Sequence, residues 1–228
     1  MKVKILGISG SPRHGNTDIM VKETLKWAES AGDVETEFIS IADYKIKGGC
    51  QSCYKCRDSN FDELCRGIKD DMNIILKKML EADGLIIGTP IYYGGMTAQL
   101  KSVFDRSLPV EKAGFGFRNK VVCVVTVGAT RHGGHEGTIM DIHRSCMVHD
   151  MIVVGSRSLQ PEQSSGCYWG AAGLRGYPNP IPSSDPKAIT AVSEDTLGME
   201  ACKRFGLRMA KITKVVKAGF SLIDANTK

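Results

Sequence analysis

Short apolar runs alternate with amphipathic stretches along most of this chain. Five runs have the length of buried strands: 3–9, 34–41, 84–90, 119–127 and 151–155. Four of them are nearly continuous in apolar residues, and the second, 34–41, partly alternates with polar residues. The stretches between and after them repeat apolar residues at helical spacing: 18–31, 72–80, 96–108, 138–149 and 194–220. The pattern predicts five strands, each followed by a helix, and the run 121–125 is apolar on both faces, as in a central parallel strand.

This alternation predicts a doubly wound α/β fold, in which helices cover both faces of a five-stranded parallel sheet. No repeat or linker divides the chain, so we expect residues 1–228 to form one domain. Two segments interrupt the pattern: a cysteine loop at 45–69 and a long Pro/Gly-rich insertion at 156–193, before the last helix, with five of the eight prolines. We expect this irregular insertion to be an ordered lid or subunit arm, with a mobile loop as the alternative.

Composition narrows the class of protein. The chain has 42% hydrophobic and 24% charged residues and no apolar run near 18 residues, which excludes a disordered chain and a membrane span. A net charge of +5 is too weak to indicate nucleic-acid binding but favours an acidic partner. The first apolar run leads into a Gly/Ser turn without a signal-peptide cleavage pattern, so we expect a cytoplasmic protein with reduced thiols.

The eight cysteines fall into different classes by position. Cys123, Cys146 and Cys202 lie in apolar or helical patterns and are expected to be packing residues, whereas Cys167 lies in the long insertion. The other four are spaced as C-X2-C-X2-C-X8-C: Cys50, Cys53, Cys56 and Cys65. This spacing favours a 4Fe-4S cluster over zinc, which more often takes two separated CxxC pairs; thiols that are redox-active without a metal are the third interpretation.

Polar loops follow the first, third and fourth predicted strands. The first offers hydroxyl and amide donors, close-approach glycines and a cation for a phosphate group: Ser9, Gly10, Ser11, Arg13, Gly15, Asn16 and Thr17. It matches neither GxGxxG nor a Walker loop, and a polar strand-to-helix turn is the local alternative. With the loops 89–95 and 128–135 it could surround a planar ring that carries a phosphate tail.

These motifs carry a family resemblance. Segments 10–13, 15–17 and 89–94 resemble the NADPH-dependent FMN reductase family of flavodoxin-like proteins. The four cysteines with 70–72, 98–101, 104–106, 127–129, Gly133-Gly134 and Glu136 resemble the iron-sulfur flavoproteins of archaea and bacteria. The resemblance spans the chain except 156–193, and it departs from the compact cysteine spacing in the eight residues 57–64.

The resemblance implies FMN together with a 4Fe-4S cluster on the four cysteines. It assigns the phosphate to Ser9, Ser11, Arg13, Asn16 and Thr17. It assigns the isoalloxazine to Pro90, Ile91, Tyr92, Tyr93 and Gly94 on one side, and to Gly128, Ala129, Thr130, Arg131, Gly133 and Gly134 on the other. We expect Tyr92 or Tyr93 to stack on the ring, with core packing as the alternative. No protein acid or base is required, because the flavin carries the chemistry.

The predicted activity is that of an FMN-dependent oxidoreductase. It would pass electrons from a ferredoxin-like one-electron donor, or from NAD(P)H, to a small-molecule acceptor, and the resemblance implies a homo-oligomer, a dimer or tetramer. A cluster-free NAD(P)H-dependent FMN or quinone reductase is the alternative. A flavodoxin-type electron carrier fits less well, because such carriers are acidic and compact.

Overall fold

The computed structural model describes residues 1–58, 62, 64–157, 167–175 and 192–226. Its strands are Val3–Ser9 (β1), Val34–Ser40 (β2), Gly84–Pro90 (β3), Val121–Gly128 (β4), Ile152–Val153 (β5) and Ala171–Leu174 (β6). Its α-helices are Asn16–Glu29 (α1), Lys55–Asp58 (α2), Met72–Glu81 (α3), Ala98–Asp105 (α4), Leu108–Lys112 (α5), His135–Val148 (α6) and Thr196–Asn226 (α7). A short 3-10 helix, Ile41–Asp43, follows β2. None of the described helices could cross a membrane.

The strands form one parallel sheet in the order β2-β1-β3-β4-β5, which confirms the predicted doubly wound arrangement. Helices α3, α4 and α6 cover one face, and α1 and α7 cover the other. The apolar residues of β4 alternate between the two cores, with Val122 and Val124 in the first and Val121, Cys123 and Val125 in the second. The run predicted as a central strand therefore contributes to both cores.

The sequence predicted that the long insertion is irregular. The structure differs, because the insertion contains the strand β6. β5 pairs with Val121 and Val122, and β6 pairs with 125–128, so the two short strands lie end to end along one edge of β4. The backbone N–H of Ser156 donates to the carbonyl of Tyr168 at 3.1 Å. The predicted fifth strand is thus split into β5 and β6. The excursion between them is closed by the hydrogen bond from Ser156 to Tyr168. The five prolines of the insertion lie outside the described residues.

Several helix boundaries differ from the predicted ones; the helix predicted over 138–149, for example, begins at His135. α1 begins at Asn16, two residues before the predicted start. The predicted helix 96–108 is two helices, because α4 ends at Asp105 and Pro109 lies in the first turn of α5. The last helix continues beyond 220 to Asn226. None of these shifts moves a predicted strand.

Helices α1 and α7 pack closely against each other at Gly206. A Cβ atom there would lie 2.3 Å from the carbonyl oxygen of Thr24 and 2.8 Å from Cβ of Trp27. A side chain at this position must therefore move the backbone of α1.

Gly206→Ala should lower the free energy of unfolding by about 1–3 kcal/mol, because overpacking costs more than the gain in helix propensity. Gly219→Ala is the matched control in the same helix, since no atom lies within 4 Å of its added Cβ. It should leave the stability unchanged or raise it by up to about 1 kcal/mol. Urea unfolding measures both variants, and equal stabilities would contradict the close packing of the two helices.

Candidate functional site

A small cavity of about 90 Å³ lies where the loops after β1, β3 and β4 meet. Parallel strands end at the same edge of a sheet, so the fold brings these three polar loops together, as the sequence predicted. The lining residues come from all three loops and from the end of β6: Ser11, Arg13, Gly15, Asn16, Thr17, Pro90, Ile91, Tyr92, Val127, Gly128, Ala129 and Arg175.

The turn between β1 and α1 is held by its own hydroxyl. The Ser11 Oγ accepts a hydrogen bond from the backbone N–H of Arg13 at 3.2 Å and donates to its carbonyl at 2.6 Å. Gly15 precedes α1 and supplies no side-chain cap, so the first N–H groups of the helix have no capping side chain. An uncapped helix N-terminus that opens on a cavity favours an anion.

Ser9 differs from the other residues predicted to bind phosphate. It ends β1, is fully buried and is not among the residues that line the cavity. Its Oγ is a buried polar atom without a hydrogen-bond partner among the described residues. Both backbone polar groups of the next residue, Gly10, are hydrogen-bonded. Its N–H donates to the carbonyl of Gly88 at 2.7 Å, and its carbonyl accepts from the Thr97 hydroxyl at 2.6 Å.

The loop after β3 makes a tight turn that separates its two tyrosines. Tyr93 and Gly94 both have positive φ, 48° and 78°, and the flanking Tyr92 and Gly95 exchange backbone hydrogen bonds of 2.9 and 3.1 Å. Tyr92 is partly exposed and lines the cavity, whereas Tyr93 is fully exposed and does not. Of the two tyrosines predicted for the ring, Tyr92 is therefore the one beside the cavity.

The loop after β4 packs directly on the loop after β3. Gly134 has φ 102°, and a Cβ there would lie 3.0 Å from Cα of Gly94. The hydroxyl of Thr138 donates to the carbonyl of Gly94 at 3.2 Å. A Cβ on Gly128 would meet the His135 ring at 2.4 Å, so both glycines are required by close contact.

The remaining residues predicted for this loop lie apart from the small cavity. Thr130 and Gly133 contact each other: a Cβ on Gly133 would lie 2.8 Å from Oγ1 of Thr130. Arg131 lines a second cavity of about 520 Å³, together with the aromatic pair Tyr168 and Trp169. Of the residues predicted for this loop, Gly128 and Ala129 thus line the small cavity, Arg131 and Gly134 line the second, and Thr130 and Gly133 line neither.

Arg175 lines the small cavity, and the sequence did not indicate it. It follows β6, and its backbone N–H donates to the carbonyl of Gly128 at 2.9 Å. The preceding residue, Leu174, donates its N–H to the buried carboxylate of Asp195 at 2.8 Å. Because β6 has only four residues, mostly small, within a segment predicted to be irregular, no local pattern could have placed this arginine on the same cavity as Arg13.

A larger cavity of about 550 Å³ is lined by all four clustered cysteines. Cys50 and Cys53 are exposed, and Cys56 and Cys65 are half-buried. The N–H of Ser52 donates to the sulfur of Cys50 at 3.4 Å, and Ser52 is in the left-handed region, so the chain curls around this sulfur. The sequence prediction that the four thiols lie together is consistent with this common cavity.

No group of three or more Cys, His, Asp or Glu side chains is preformed as a metal site within the described ranges. The four thiols nevertheless influence each other. Burial raises the pKa of the Cys56 thiol, and Cys65, Cys50 and Cys53 raise it further when they carry charge. Four soft sulfur donors on one cavity fit an iron-sulfur cluster, which would deprotonate them and neutralise their mutual repulsion.

A buried ion pair holds the two flanks of the cysteine loop. Arg106, directly after α4, pairs through both terminal nitrogens with Asp70, at 2.6 and 2.8 Å, and both side chains are fully buried. The same nitrogens donate to the carbonyls of Gly48 and Ile68 at 3.3 and 3.2 Å. Nε donates to the sulfur of Cys65 at 3.2 Å. The sequence singled out Asp70 and Arg106 within motifs, but not this contact.

Further hydrogen bonds complete this network. Asp70 also accepts the N–H groups of Lys47 and Met72 at 2.9 and 3.2 Å. The side-chain amide of Asn73 accepts the N–H of Cys65 at 2.9 Å and donates to its carbonyl at 3.0 Å. The residues before Cys50 and the segment from Cys65 onwards are thus tied to one buried centre.

Residues 3–163 match the sequence model of the NADPH-dependent FMN reductase family. The chain belongs to this family. It is therefore an FMN-dependent oxidoreductase, which confirms the family predicted from the loop motifs.

Two relatives of this FMN reductase family member are named iron-sulfur flavoproteins. An iron-sulfur flavoprotein of Methanocaldococcus jannaschii is 41% identical over 94% of this chain and 100% of its own length. One of Methanosarcina thermophila is 35% identical over 94% of this chain and 97% of its own length. A solved flavodoxin, WrbA-like protein from Agrobacterium tumefaciens has a TM-score of 0.59 at 17% identity, covers 93% of this chain and 98% of its own, and confirms the flavodoxin-like fold.

The cysteines should differ in reactivity in the reduced, metal-free protein. Burial raises the pKa of Cys146 and of Cys202 to about 12, and it also raises that of Cys123. Brief iodoacetamide treatment at about pH 8 should therefore modify Cys50 and Cys53 and spare these three until the protein is unfolded. Peptide mass spectrometry measures each site, and equal labelling of Cys123 and Cys50 in the folded protein would contradict the assignment.

Proposed function

We propose that this family member binds FMN with its phosphate in the small cavity and holds a 4Fe-4S cluster on Cys50, Cys53, Cys56 and Cys65. It would pass electrons between a one-electron donor and a small-molecule acceptor. The observation that carries the proposal is the presence of two different cavities in one domain, one that suits an anion and one lined by four thiols.

Two kinds of donor and the shape of one turn support the phosphate position. The uncapped start of α1 offers backbone N–H groups, Ser11 shapes the turn beside it, and Arg13 and Arg175 lie on the same cavity. Helix N-termini and arginines together make a strong site for a phosphate dianion. We assign Asn16 and Thr17 to the same site, and Ser9 to a supporting position beneath it.

The two contacting loops support the ring position. Pro90, Ile91 and Tyr92 line the cavity from one side, and Gly128 and Ala129 line it from the other. Tyr93 and Gly94 form the turn that contacts Gly134, so we assign these three to the shape of the ring site. Thr130, Arg131 and Gly133 would border its outer edge.

The relatives support the cluster, because two of them, similar over almost their whole length, are named iron-sulfur flavoproteins. A 4Fe-4S cluster transfers one electron at a time and FMN one or two, so the pair would couple a one-electron donor to two-electron reduction of an acceptor. The chain's own part is to hold both groups and keep the four sulfurs together.

Charge supports an acidic, ferredoxin-like electron donor. Arg57, Arg66 and Lys112 line the cysteine cavity, and the whole chain carries a net charge of +5. Positive charge around an electron entry site steers an acidic carrier towards it. Exposed apolar side chains on α7, such as Val215, Leu222 and Ile223, support a homo-oligomer.

A cluster-free NAD(P)H-dependent FMN or quinone reductase is the second candidate. It is favoured by the match of residues 3–163 to the NADPH-dependent FMN reductase family. Anaerobic purification separates the two. About four irons per chain would support the cluster; a yellow protein without iron that oxidises NADPH rapidly would refute it.

Cys53→Ala should abolish iron binding and leave FMN bound, because the cysteine cavity and the small cavity have no lining residue in common. Cys167→Ala is the control, since Cys167 lines a different cavity and should retain both groups. Iron and flavin are measured on the same anaerobic preparation. A Cys53→Ala protein with a full complement of iron would contradict the ligand assignment.

Arg175→Gln should weaken FMN binding about tenfold or more and leave riboflavin binding unchanged, because only FMN carries the phosphate that a charge-assisted hydrogen bond would hold. Arg118→Gln is the control, because Arg118 forms an exposed ion pair with Asp150 outside the cavity. Fluorescence titration of the flavin-free protein measures both ligands. Equal losses for FMN and riboflavin would show that Arg175 does not contact the phosphate.

A further inference from the structure

The guanidinium of Arg106 has no unused donor. It carries five N–H groups, and the structure supplies five acceptors: two oxygens of Asp70, the carbonyls of Gly48 and Ile68, and the sulfur of Cys65. The fork geometry requires an arginine, because a lysine ammonium cannot reach five acceptors in one plane.

Both carboxylate oxygens of Asp70 likewise accept two hydrogen bonds each. Each of its two oxygens accepts one N–H of Arg106 and one backbone N–H, from Met72 and from Lys47. Asp70 thereby orients the guanidinium so that its single Nε–H group faces Cys65. A buried ion pair is a poor way to stabilise a fold, since apolar side chains of similar volume serve at least as well. The retained pair therefore points to a task that needs the guanidinium itself.

We propose that Arg106 is a positioning residue for the cysteine centre, which holds the sulfur of Cys65 at the cavity and donates a hydrogen bond to it when it is a metal ligand. This inference rests on the proposed 4Fe-4S cluster. The hydrogen bond from Nε, at 3.2 Å, comes from a side chain that is itself fully buried.

Two consequences follow for the centre. Cys65 is the ligand separated from the others by residues 57–64, and its contacts with Arg106 and Asn73 hold it independently of that segment. A hydrogen bond to a ligand sulfur also favours the more negative, reduced state of a cluster, and thus raises its reduction potential. Arg106 would make this centre easier to reduce by a weak electron donor.

The test measures the midpoint potential of the cluster in the reconstituted protein. Electron paramagnetic resonance of the reduced cluster monitors the titration. Arg106→Lys keeps the charge, which Asp70 attracts, but loses the Nε–H group. We expect iron to be retained and the one-electron equilibrium constant to fall about tenfold, equivalent to about 59 mV. Asp70→Asn should shift the potential in the opposite direction, because it leaves the positive charge of Arg106 uncompensated.

The double variant D70N/R106Q keeps the proposal testable if Arg106→Lys does not fold. It buries no charge but lacks the same N–H group, and it should also have a lower potential than the wild type. Arg118→Lys, at the exposed pair with Asp150, is the control and should leave the potential unchanged.

The outcomes distinguish a failure of the proposed cluster from a failure of the proposed role of Arg106. A wild-type protein that takes up no iron overturns the proposed centre. A wild-type protein with about four irons whose potential is the same in Arg106→Lys and D70N/R106Q overturns only the role of Arg106. A loss of thermal stability without a shift in potential would likewise assign Arg106 a purely structural role.

Discussion

The parallel direction of all the strands is the constraint from which the arrangement of the sites follows. Every loop that leaves the carboxyl end of a strand opens on the same edge of the sheet, so polar residues far apart in sequence meet there without any contact between distant helices. The loops after β1, β3 and β4 build the small cavity, and the cysteine loop begins after β2, the neighbour of β1. The cysteine loop thus follows the edge strand, and the small cavity lies at the ends of the inner strands.

The two sites are held by different physical means. The small cavity depends on backbone proximity, since Gly128 and Gly134 have no room for a side chain. In the cysteine loop Cys50 and Cys53 are exposed, and the buried pair between Arg106 and Asp70 holds the flanks of the loop. The cluster proposed for this loop needs space around the four sulfurs, and a network of hydrogen bonds beneath them orders the loop without filling that space.

The features that sequence predicted were those with a strong local signal. Apolar runs such as that in β4, and helical periodicity such as that in α3, identified the strands, the helices and the sheet type. β6 was missed because Ala171–Leu174 is a four-residue segment, mostly of small residues, whose pairing is set by the edge of β4. Arg175 was missed with it. The contact of Arg106 with Cys65 spans 41 residues, and no periodicity encodes such a distance.

The split fifth strand has a consequence for how this fold can vary. β5 ends at Val153 and β6 resumes along the same edge at Ala171, and the hydrogen bond from Ser156 to Tyr168 closes the excursion between them. The entropy of closing a loop rises only slowly with its length, so this excursion can be lengthened or shortened at little cost to the register of the sheet. The excursion is anchored at Tyr168, which lines the second cavity, so changes in its length would alter access to that cavity while the core stays the same.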